Sequence, residues 1–290
     1  MRTAEAMTEL SIVIPYFNAA SFLERTLEAI KQQVVVNYEL IVVDDGSDTM
    51  NKNVLMANQY QIDVLLTQEN QGQAAARNAG ILKAKGEYIL NWDADDYFEP
   101  DFSARAIKIL NENPTIKLVT SYALRTADGV SGELIKPAGG SYQNFLFENA
   151  ALGSAMFRKK DWQETGGYDE AEAVRGYEDW EFYLRLLYPN GEAFIIPEQL
   201  FTYHRHAEST TSLILRERSS LAKRKYIYTK NKTIYQEHYT ELIDDLFYRL
   251  EREERERYKN LERKEYILGK KILSPLYSIK KYLRSHFGKQ

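Results

Sequence analysis

Tyr88-Ile89-Leu90-Asn91-Trp92-Asp93-Ala94-Asp95-Asp96 decides how this chain folds. Four apolar residues, interrupted only by Asn91, run straight into three carboxylates within four positions. A short apolar run of this kind reads as a buried strand. Carboxylates at its end then emerge at the carboxyl edge of a sheet, where open α/β sheets bind ligands. Like charges held this close are costly unless a cation or solvent offsets them. Hard divalent cations that also touch phosphates take one or two such oxygens. The stretch therefore predicts a metal and diphosphate site.

Working outward, Ser11-Ile12-Val13-Ile14-Pro15 reads as a buried strand stopped by its proline. Ser21-Phe22-Leu23-Glu24 has capping-box spacing ahead of a helix carrying Leu23, Leu27 and Ile30. Tyr38–Val43 is a second buried strand and runs into Asp44-Asp45-Gly46-Ser47; Val64–Thr67 is a third. An alanine-rich helix is predicted over Gln73–Lys85, ended by Gly86. Strands alternating with helices at this spacing predict an α/β fold with a mostly parallel sheet. Parallel strands share polarity, so Asp44/Asp45 and Asp93/Asp95/Asp96 are expected on one edge. Further on, a helix near Asp101–Leu110 stops at Asn113-Pro114, and Lys117–Ser121 reads as a strand. Residues 127–149 read as loops. Gly176-Tyr177-Glu178-Asp179-Trp180-Glu181 opens an apolar helix through Leu187, and Phe194–Pro197 reads as a last edge strand before Tyr203-His204-Arg205-His206.

In order and spacing, several stretches resemble the inverting, nucleotide-sugar-dependent glycosyltransferases of family 2. They are Ser11–Asn18, Val43-Asp44-Asp45-Gly46-Ser47, Ala76-Arg77-Asn78-Ala79-Gly80, Gly86-Glu87-Tyr88-Ile89, Asp93-Ala94-Asp95-Asp96 and Glu178-Asp179-Trp180-Glu181. The resemblance covers roughly residues 10–212. It implies the GT-A fold, a Rossmann-like mixed sheet flanked by helices, with a C-terminal helical extension outside it. The expected organisation is a GT-A glycosyltransferase domain over 1–215 and a helical, basic extension over 216–290.

The resemblance implies a role for each matching residue. Asp93-Ala94-Asp95 looks like the family's DXD motif, whose carboxylates hold Mn²⁺ or Mg²⁺ against the donor diphosphate and ribose. Asp45, beside Asp44, is similar in place to the aspartate that reads uracil N3–H. Pro15, Phe17 and Asn18 line the exit of the first strand, where an aromatic can pack on a base. Gly72 and Arg77 sit where the family contacts the donor; the Arg77 guanidinium suits phosphate, and a helix-surface salt bridge is its competing reading. Asp179 is the expected general base, taking the acceptor hydroxyl's proton, with Glu178 in support. Tyr203-His204-Arg205-His206 resembles the family's tyrosine-x-x-histidine segment, which makes His206, ahead of His204, a candidate metal ligand. Ser154, Gly167, Glu178 and Trp180 are candidates to face the acceptor sugar, with ordinary packing as the competing reading. The implied reaction moves a sugar, hexosyl or N-acetylhexosaminyl, from a UDP-sugar to a saccharide or lipid-linked saccharide of the cell envelope.

Composition bounds these readings. With no cysteine, disulfides, thiolate zinc sites and cysteine nucleophiles are excluded. Neither a signal-like apolar segment nor a run of about 18 apolar residues occurs. That predicts a cytoplasmic protein, possible at the inner face of the plasma membrane only as a peripheral one. The net charge of −4 is uneven: residues 216–290 carry 20 Lys/Arg against 11 Asp/Glu, a net of +9, which leaves −13 for the rest. Ile243, Phe247, Leu250 and Leu261 keep heptad spacing, but Glu254 and Arg257 interrupt it, so a sustained coiled coil is not expected. After Glu265 no acidic residue occurs, and lysines alternate with apolar residues. Residues 266–290 therefore read either as a membrane-surface element or as a helix docked on the chain or on a homodimer partner. No nucleic-acid partner is expected.

Two other classes compete. A non-catalytic sugar-binding module would carry a damaged base or DXD, and both are intact here. A metal-dependent nucleotidyltransferase has a glycine-rich, basic loop after its first strand, whereas Tyr16-Phe17-Asn18-Ala19-Ala20 has neither feature. No GxGxxG follows that strand, which argues against a dehydrogenase.

Overall fold

The computed structural model describes residues 8–35, 37–127, 130–205, 220–264, 266–270 and 272–273. His206 and residues 274–290 lie outside them. The chain divides into two compact units, Met1–Ile234 and Tyr235–Gln290.

In the first unit, β1 (Leu10–Tyr16) is buried along nearly its whole length. Its neighbours β2 (Tyr38–Asp45) and β4 (Tyr88–Asn91) pair with it in parallel, and β3 (Val64–Gln68) pairs in parallel with β2. Strands covered on both faces need apolar side chains at every position, which explains their unbroken hydrophobic runs. Pro15 does not stop β1. The ladder to β4 covers only Leu10–Val13, so a residue without an N–H is tolerated beyond it. The mixed sheet runs β3-β2-β1-β4-β9-β6-β10-β5. The remaining members are β5 (Tyr97–Phe98), β6 (Ile116–Ala127), β9 (Met156–Arg158) and β10 (Glu192–Arg205), with β7 (Val130–Ile135) paired to β6 and β8 (Gly140–Ser141) to β10.

Several expectations are corrected. The segment read as loops, 127–149, contains β7, β8 and a short 3-10 turn at Tyr142–Phe145. The strand expected at the edge around Phe194 is β10, 14 residues long and interior, lying between β6 and β5. Ser21 is not a helix cap. Helix α1 (Ala20–Lys31) starts at Ala19 with no side-chain cap, and the Asn51 side chain receives the Ala20 N–H at 3.0 Å instead. Gly86 does not end the alanine-rich helix, which closes at Ala84. It sits where a Cβ would lie 2.6 Å from the Ser11 nitrogen. Glycine there is a matter of close backbone approach.

The helices packed around the sheet are α1, α2 (Thr49–Ala57), α3 (Gln73–Lys83), α4 (Phe102–Glu112), α5 (Lys159–Thr165) and α6 (Glu178–Leu187). Helix α3 lies close on β1, since a Cβ on Gly80 would come 2.5 Å from Val13 Cγ1. Helix α7 (Ser220–Lys230) also belongs to the first unit. Ile227 is fully buried, and Lys230 bridges Asp169 (2.6 Å) and the buried Glu181 (2.9 Å). Next come α8 (Lys232–Glu237) and, in the second unit, α9 (Tyr239–Glu262), which has no buried residue. Among the described residues no helix is long and apolar enough to cross a membrane.

Candidate active site

The parallel strands deliver their acidic ends to one edge, as their polarity requires. At the end of β2, Asp45 is buried and accepts three N–H groups, from the Gln68 side chain and the Gln71 and Gly72 backbones, each at 2.8 Å. An ionised carboxylate offers about four acceptor sites. Asp45 therefore uses most of its acceptor capacity to shape the Gln68–Gly72 loop. Asp44 accepts the Ser47 N–H at 3.0 Å and lies 3.8 Å from the Lys52 ammonium. Beyond β1 the chain turns at Asn18 (φ 49°), whose side chain accepts the Asp48 N–H at 2.9 Å. Pro15 is half-buried at the end of β1, and the Phe17 ring stands half exposed at the strand exit.

The acidic turn after β4 is anchored from beneath. Trp92 is buried, packs edge-on to Phe98 at 5.0 Å and donates its indole N–H to the Asp96 carbonyl at 2.8 Å. Thr26 of α1 holds the Ala94 carbonyl at 2.6 Å. Asp96 is buried and accepts the His204 N–H at 3.1 Å, while its own N–H closes the turn on the Asp93 carbonyl. Burial, then the charges of Asp95 and Asp93, push the Asp96 carboxyl well above the usual carboxylate range. Asp93 and Asp95 keep partly exposed side chains. The His204 ring lies against Thr126 Oγ1 (3.3 Å) and Phe22.

Arg77 reaches this turn from inside α3. Its guanidinium is 1% exposed and pairs with Asp93 at 2.6 Å and with Glu178 at 3.8 Å, over the Tyr168 ring. Its Nε and Nη1 have no hydrogen-bond partner. Burial opposes the charge, but Asp93, Tyr168 and Glu178 outweigh it and raise the pKa. The next residue, Asn78, ties α3 to the Gly166–Tyr168 turn. Its side chain accepts from the Trp162 indole (3.1 Å) and the Tyr168 N–H (2.9 Å) and donates to the Tyr168 carbonyl (2.9 Å).

Helix α6 brings the second half of the site. Glu178, in its first turn, is buried and accepts from the Gln73 side chain and the Gly176 N–H. Asp179 is partly buried. One of its oxygens takes the Trp180 N–H (2.8 Å), the other the Asn149 side-chain amide (2.9 Å). Burial first, then Glu178, pushes its carboxyl up to about 6, against the lowering pull of Arg77 and the Trp180 N–H. A carboxyl poised there is matched to proton transfer near neutral pH.

The structure thus brings Asp93, Arg77, Glu178 and Asp179 together with Gly72 at the start of α3. Of the acceptor candidates, Ser154 is buried and its hydroxyl accepts the Asp93 N–H at 3.3 Å. Trp180 and Gly167 are packing positions. The Trp180 indole is buried against Arg224 and hydrogen-bonds the Phe145 carbonyl, while Gly167 sits against Asn78 and Trp162. Three residues had no reading from sequence. Asn149 holds Asp179, Gly153 lies between Asp179 and Asp93, and the Arg175 guanidinium would be 3.0 Å from a Cβ on Gly72. Arg175 was findable, since it directly precedes the Gly176–Glu181 stretch; Asn149 and Gly153 carry no local signal. A cavity of about 560 Å³ near Glu9, Val34, Ile107 and Lys108 lies by the start of β1, at the opposite end from these carboxylates.

Among the described residues no three His, Cys, Asp or Glu side chains group as a metal cage. Two partly exposed hard-oxygen donors, Asp93 and Asp95, still fit Mn²⁺ or Mg²⁺, because such ions take one or two carboxylates and complete their shell with phosphate and water. The crowding that raises Asp96 is the kind a cation relieves.

A sheet of this order, with acidic turns converging at its carboxyl edge, defines a nucleotide-diphospho-sugar transferase fold of GT-A type. The solved structures it resembles agree: S. aureus TarS in complex with UDP-GlcNAc (TM-score 0.56, 15% identity, 70% of this chain and 61% of that one) and the mannosyltransferase PcManGT from Pyrobaculum calidifontis in complex with GDP-Man and Mn²⁺ (TM-score 0.57, 17% identity, 78% and 66%). The sequence model for glycosyl transferase family 2 matches residues 11–170, and one for the N-terminal domain of galactosyltransferase matches 142–208. An uncharacterized glycosyltransferase of Haemophilus influenzae is 30% identical over 214 residues, 70% of this chain and 71% of that protein. The chondroitin synthase of Pasteurella multocida is 29% identical over 187 residues, which span only 18% of its length. The chain belongs to glycosyl transferase family 2 and is a glycosyltransferase.

Proposed function

We propose that the protein is a metal-dependent, inverting glycosyltransferase that moves a hexosyl or N-acetylhexosaminyl group from a UDP-sugar to a saccharide hydroxyl of a surface glycan or lipid-linked saccharide. The observation that carries this reading is the convergence of Asp179 and Asp93: an oxygen of each lies within 4.0 Å of the same point above Gly153. An inverting transfer needs that juxtaposition, a base on the acceptor side and a holder of the leaving diphosphate opposite.

Asp179 takes the acceptor hydroxyl's proton, with Asn149 and the Trp180 N–H holding its two oxygens in place. Asp45 reads the base, and Phe17 offers an aromatic face to it. Asp93 and Asp95 would hold Mn²⁺ or Mg²⁺, which supplies Lewis-acid neutralisation of the leaving diphosphate when bound. Arg77 orients Asp93 and balances the charge of Glu178. The UDP preference rests on the resemblance of Asp45 to the aspartate that reads uracil N3–H; the neighbours of known structure, one bound to UDP-GlcNAc and one to GDP-Man, share the fold. The basic stretch after Glu265 would bring the enzyme to anionic lipid, where a lipid-linked acceptor resides.

The test has two stages. A thermal-shift panel of nucleotide-sugars with and without Mn²⁺ is expected to single out a UDP-sugar, and UDP release with a saccharide array then identifies the acceptor. Asp179→Asn is expected to keep the UDP shift and abolish transfer. The absence of a shift with every UDP compound would sink the donor assignment, a UDP shift that ignores Mn²⁺ would sink the metal, and full transfer by Asp179→Asn would sink the base.

A further inference from the structure

The loop from Asn149 to Ser154 is fastened at each step. Gly139 donates its N–H to the Ala150 carbonyl at 2.8 Å. The Tyr183 hydroxyl, one turn after Asp179 on α6, reaches the Leu152 and Gly153 carbonyls at 3.0 and 2.8 Å. Thr120 Oγ1 donates to the Ser154 carbonyl at 3.2 Å, and Ser154 Oγ receives the Asp93 N–H. Gly153 is therefore a fixed point with an oxygen of each half of the site within reach of a substituent on its Cα.

A Cβ at Gly153 would have three nearest atoms: Asp179 Oδ2 at 3.2 Å, Asp179 Cγ at 4.0 Å and Asp93 Oδ2 at 4.0 Å. Its backbone is not left-handed, so conformation does not demand glycine here. What a side chain would take away is the space between the two carboxylates. Asn149 fixes the Asp179 side of that space. Its amide donates to Asp179 Oδ2, and its own carbonyl oxygen accepts the Ala151 N–H at 3.2 Å, which sets which end of the amide faces the carboxylate.

We propose that Gly153 is a specificity-determining position. By lacking a side chain it leaves the opening through which a saccharide hydroxyl reaches Asp179 Oδ2 beside the donor, and Asn149 is the positioning residue that aims that oxygen into the opening. This rests on the reading of Asp179 as the base. A methyl group at 153 meets Asp179 Oδ2 at 3.2 Å but Asp93 Oδ2 only at 4.0 Å, so it crowds the acceptor side more than the donor side and hinders a ring-borne hydroxyl more than water.

The experiment measures three activities of Gly153→Ala with the donor and acceptor found above: the Mn²⁺-dependent thermal shift with UDP, transfer to the acceptor, and hydrolysis of the donor. The expected result is an unchanged UDP shift, a loss of about 10–200-fold in kcat/KM for the acceptor, the range one methylene commands in a fitted site, and a smaller loss of hydrolysis. Transfer within twofold of wild type overturns the proposal, as does an equal loss of transfer and hydrolysis. If Gly153→Ala gives no UDP shift, Asn149→Ala decides. A kcat lower by about 10–100-fold at unchanged donor KM, the weight of a hydrogen bond to a charged group, with partial rescue by Asn149→Ser, supports it; wild-type kcat overturns it. Asp179→Asn run alongside separates the two readings. If that variant is inactive while Gly153→Ala transfers normally, only the Gly153 proposal fails, whereas an active Asp179→Asn removes the base assignment and this proposal with it.

Discussion

Replacing Arg77 with methionine tests the electrostatics of the site most directly. Methionine keeps much of the apolar stem and removes the charge, so cavity formation contributes little. Arg77 is 1% exposed, 2.6 Å from Asp93 and 3.8 Å from the equally buried Glu178. Without it, Glu178 keeps only neutral donors, the Gln73 amide and the Gly176 N–H. Removing one partner of a buried ion pair costs about 3–5 kcal/mol. The lower end applies, because Nε and Nη1 of Arg77 make no hydrogen bond, Nη1 facing Glu178 only at 3.8 Å, and their desolvation cost disappears with them. At about 2–4 °C per kcal/mol for a unit of this size, roughly 3 kcal/mol lowers Tm by about 6–12 °C. There is a second consequence. Arg77 holds the Asp179 carboxyl down, so in Arg77→Met that carboxyl rises further above about 6 and the acid limb of the transfer profile moves to higher pH. Thermal denaturation at pH 7.5 and a pH–rate profile of transfer check both. A Tm within about 2 °C of wild type together with an unmoved acid limb refutes the reasoning.

Three further outcomes are expected. Because the Asp179 carboxyl is raised from 3.8 to about 6 in the folded chain, the ionised base is lost as pH falls through about 6, and kcat/KM should drop tenfold per unit below it. The same shift costs stability above pH 6, a penalty lost as pH falls toward 3.8, so Asp179→Asn should raise Tm at pH 8 by a few degrees, about 1–2 kcal/mol, and lose that advantage near pH 4; a neutral or lower Tm at pH 8 contradicts it. Third, a chain cut after residue 215 loses Ile227, Ile234 and the Lys230 bridge between Asp169 and Glu181. Burying two isoleucines contributes about 3–6 kcal/mol, so its urea midpoint should fall well below that of a chain cut after residue 237, and equal midpoints would show that α7 adds nothing to the first unit.

The boundary between sequence and tertiary structure falls at particular residues. The strands at Leu10–Tyr16, Tyr38–Asp45 and Tyr88–Asn91 were legible because burial on both faces forces an unbroken apolar run. From shared strand polarity alone it followed that Asp44/Asp45 and Asp93–Asp96 meet at one edge. The motifs also marked Arg77, Glu178 and Asp179, since each lies within a short stretch of recognisable spacing. Their mutual arrangement was not legible. Sequence leaves Arg77 open between a phosphate contact and a helix-surface salt bridge; its burial between Asp93 and Glu178 depends on how α3 and α6 pack over the strand ends. β10 reads as an edge strand because only Phe194–Pro197 is strongly apolar, but pairing with β6 on one side and with β5 and β8 on the other makes it interior. Helix α7 looked like part of a basic extension because helix and charge patterns do not reveal which carboxylates a lysine will meet; Lys230 finds Asp169 and Glu181 only in the folded unit. Asn149 and Gly153 are the plainest case. Local sequence sets strands, helices and turns through periodicities of two and 3.6 residues, whereas the gap between Asp93 and Asp179 is made by side chains far apart in the chain, and only packing decides how wide it is.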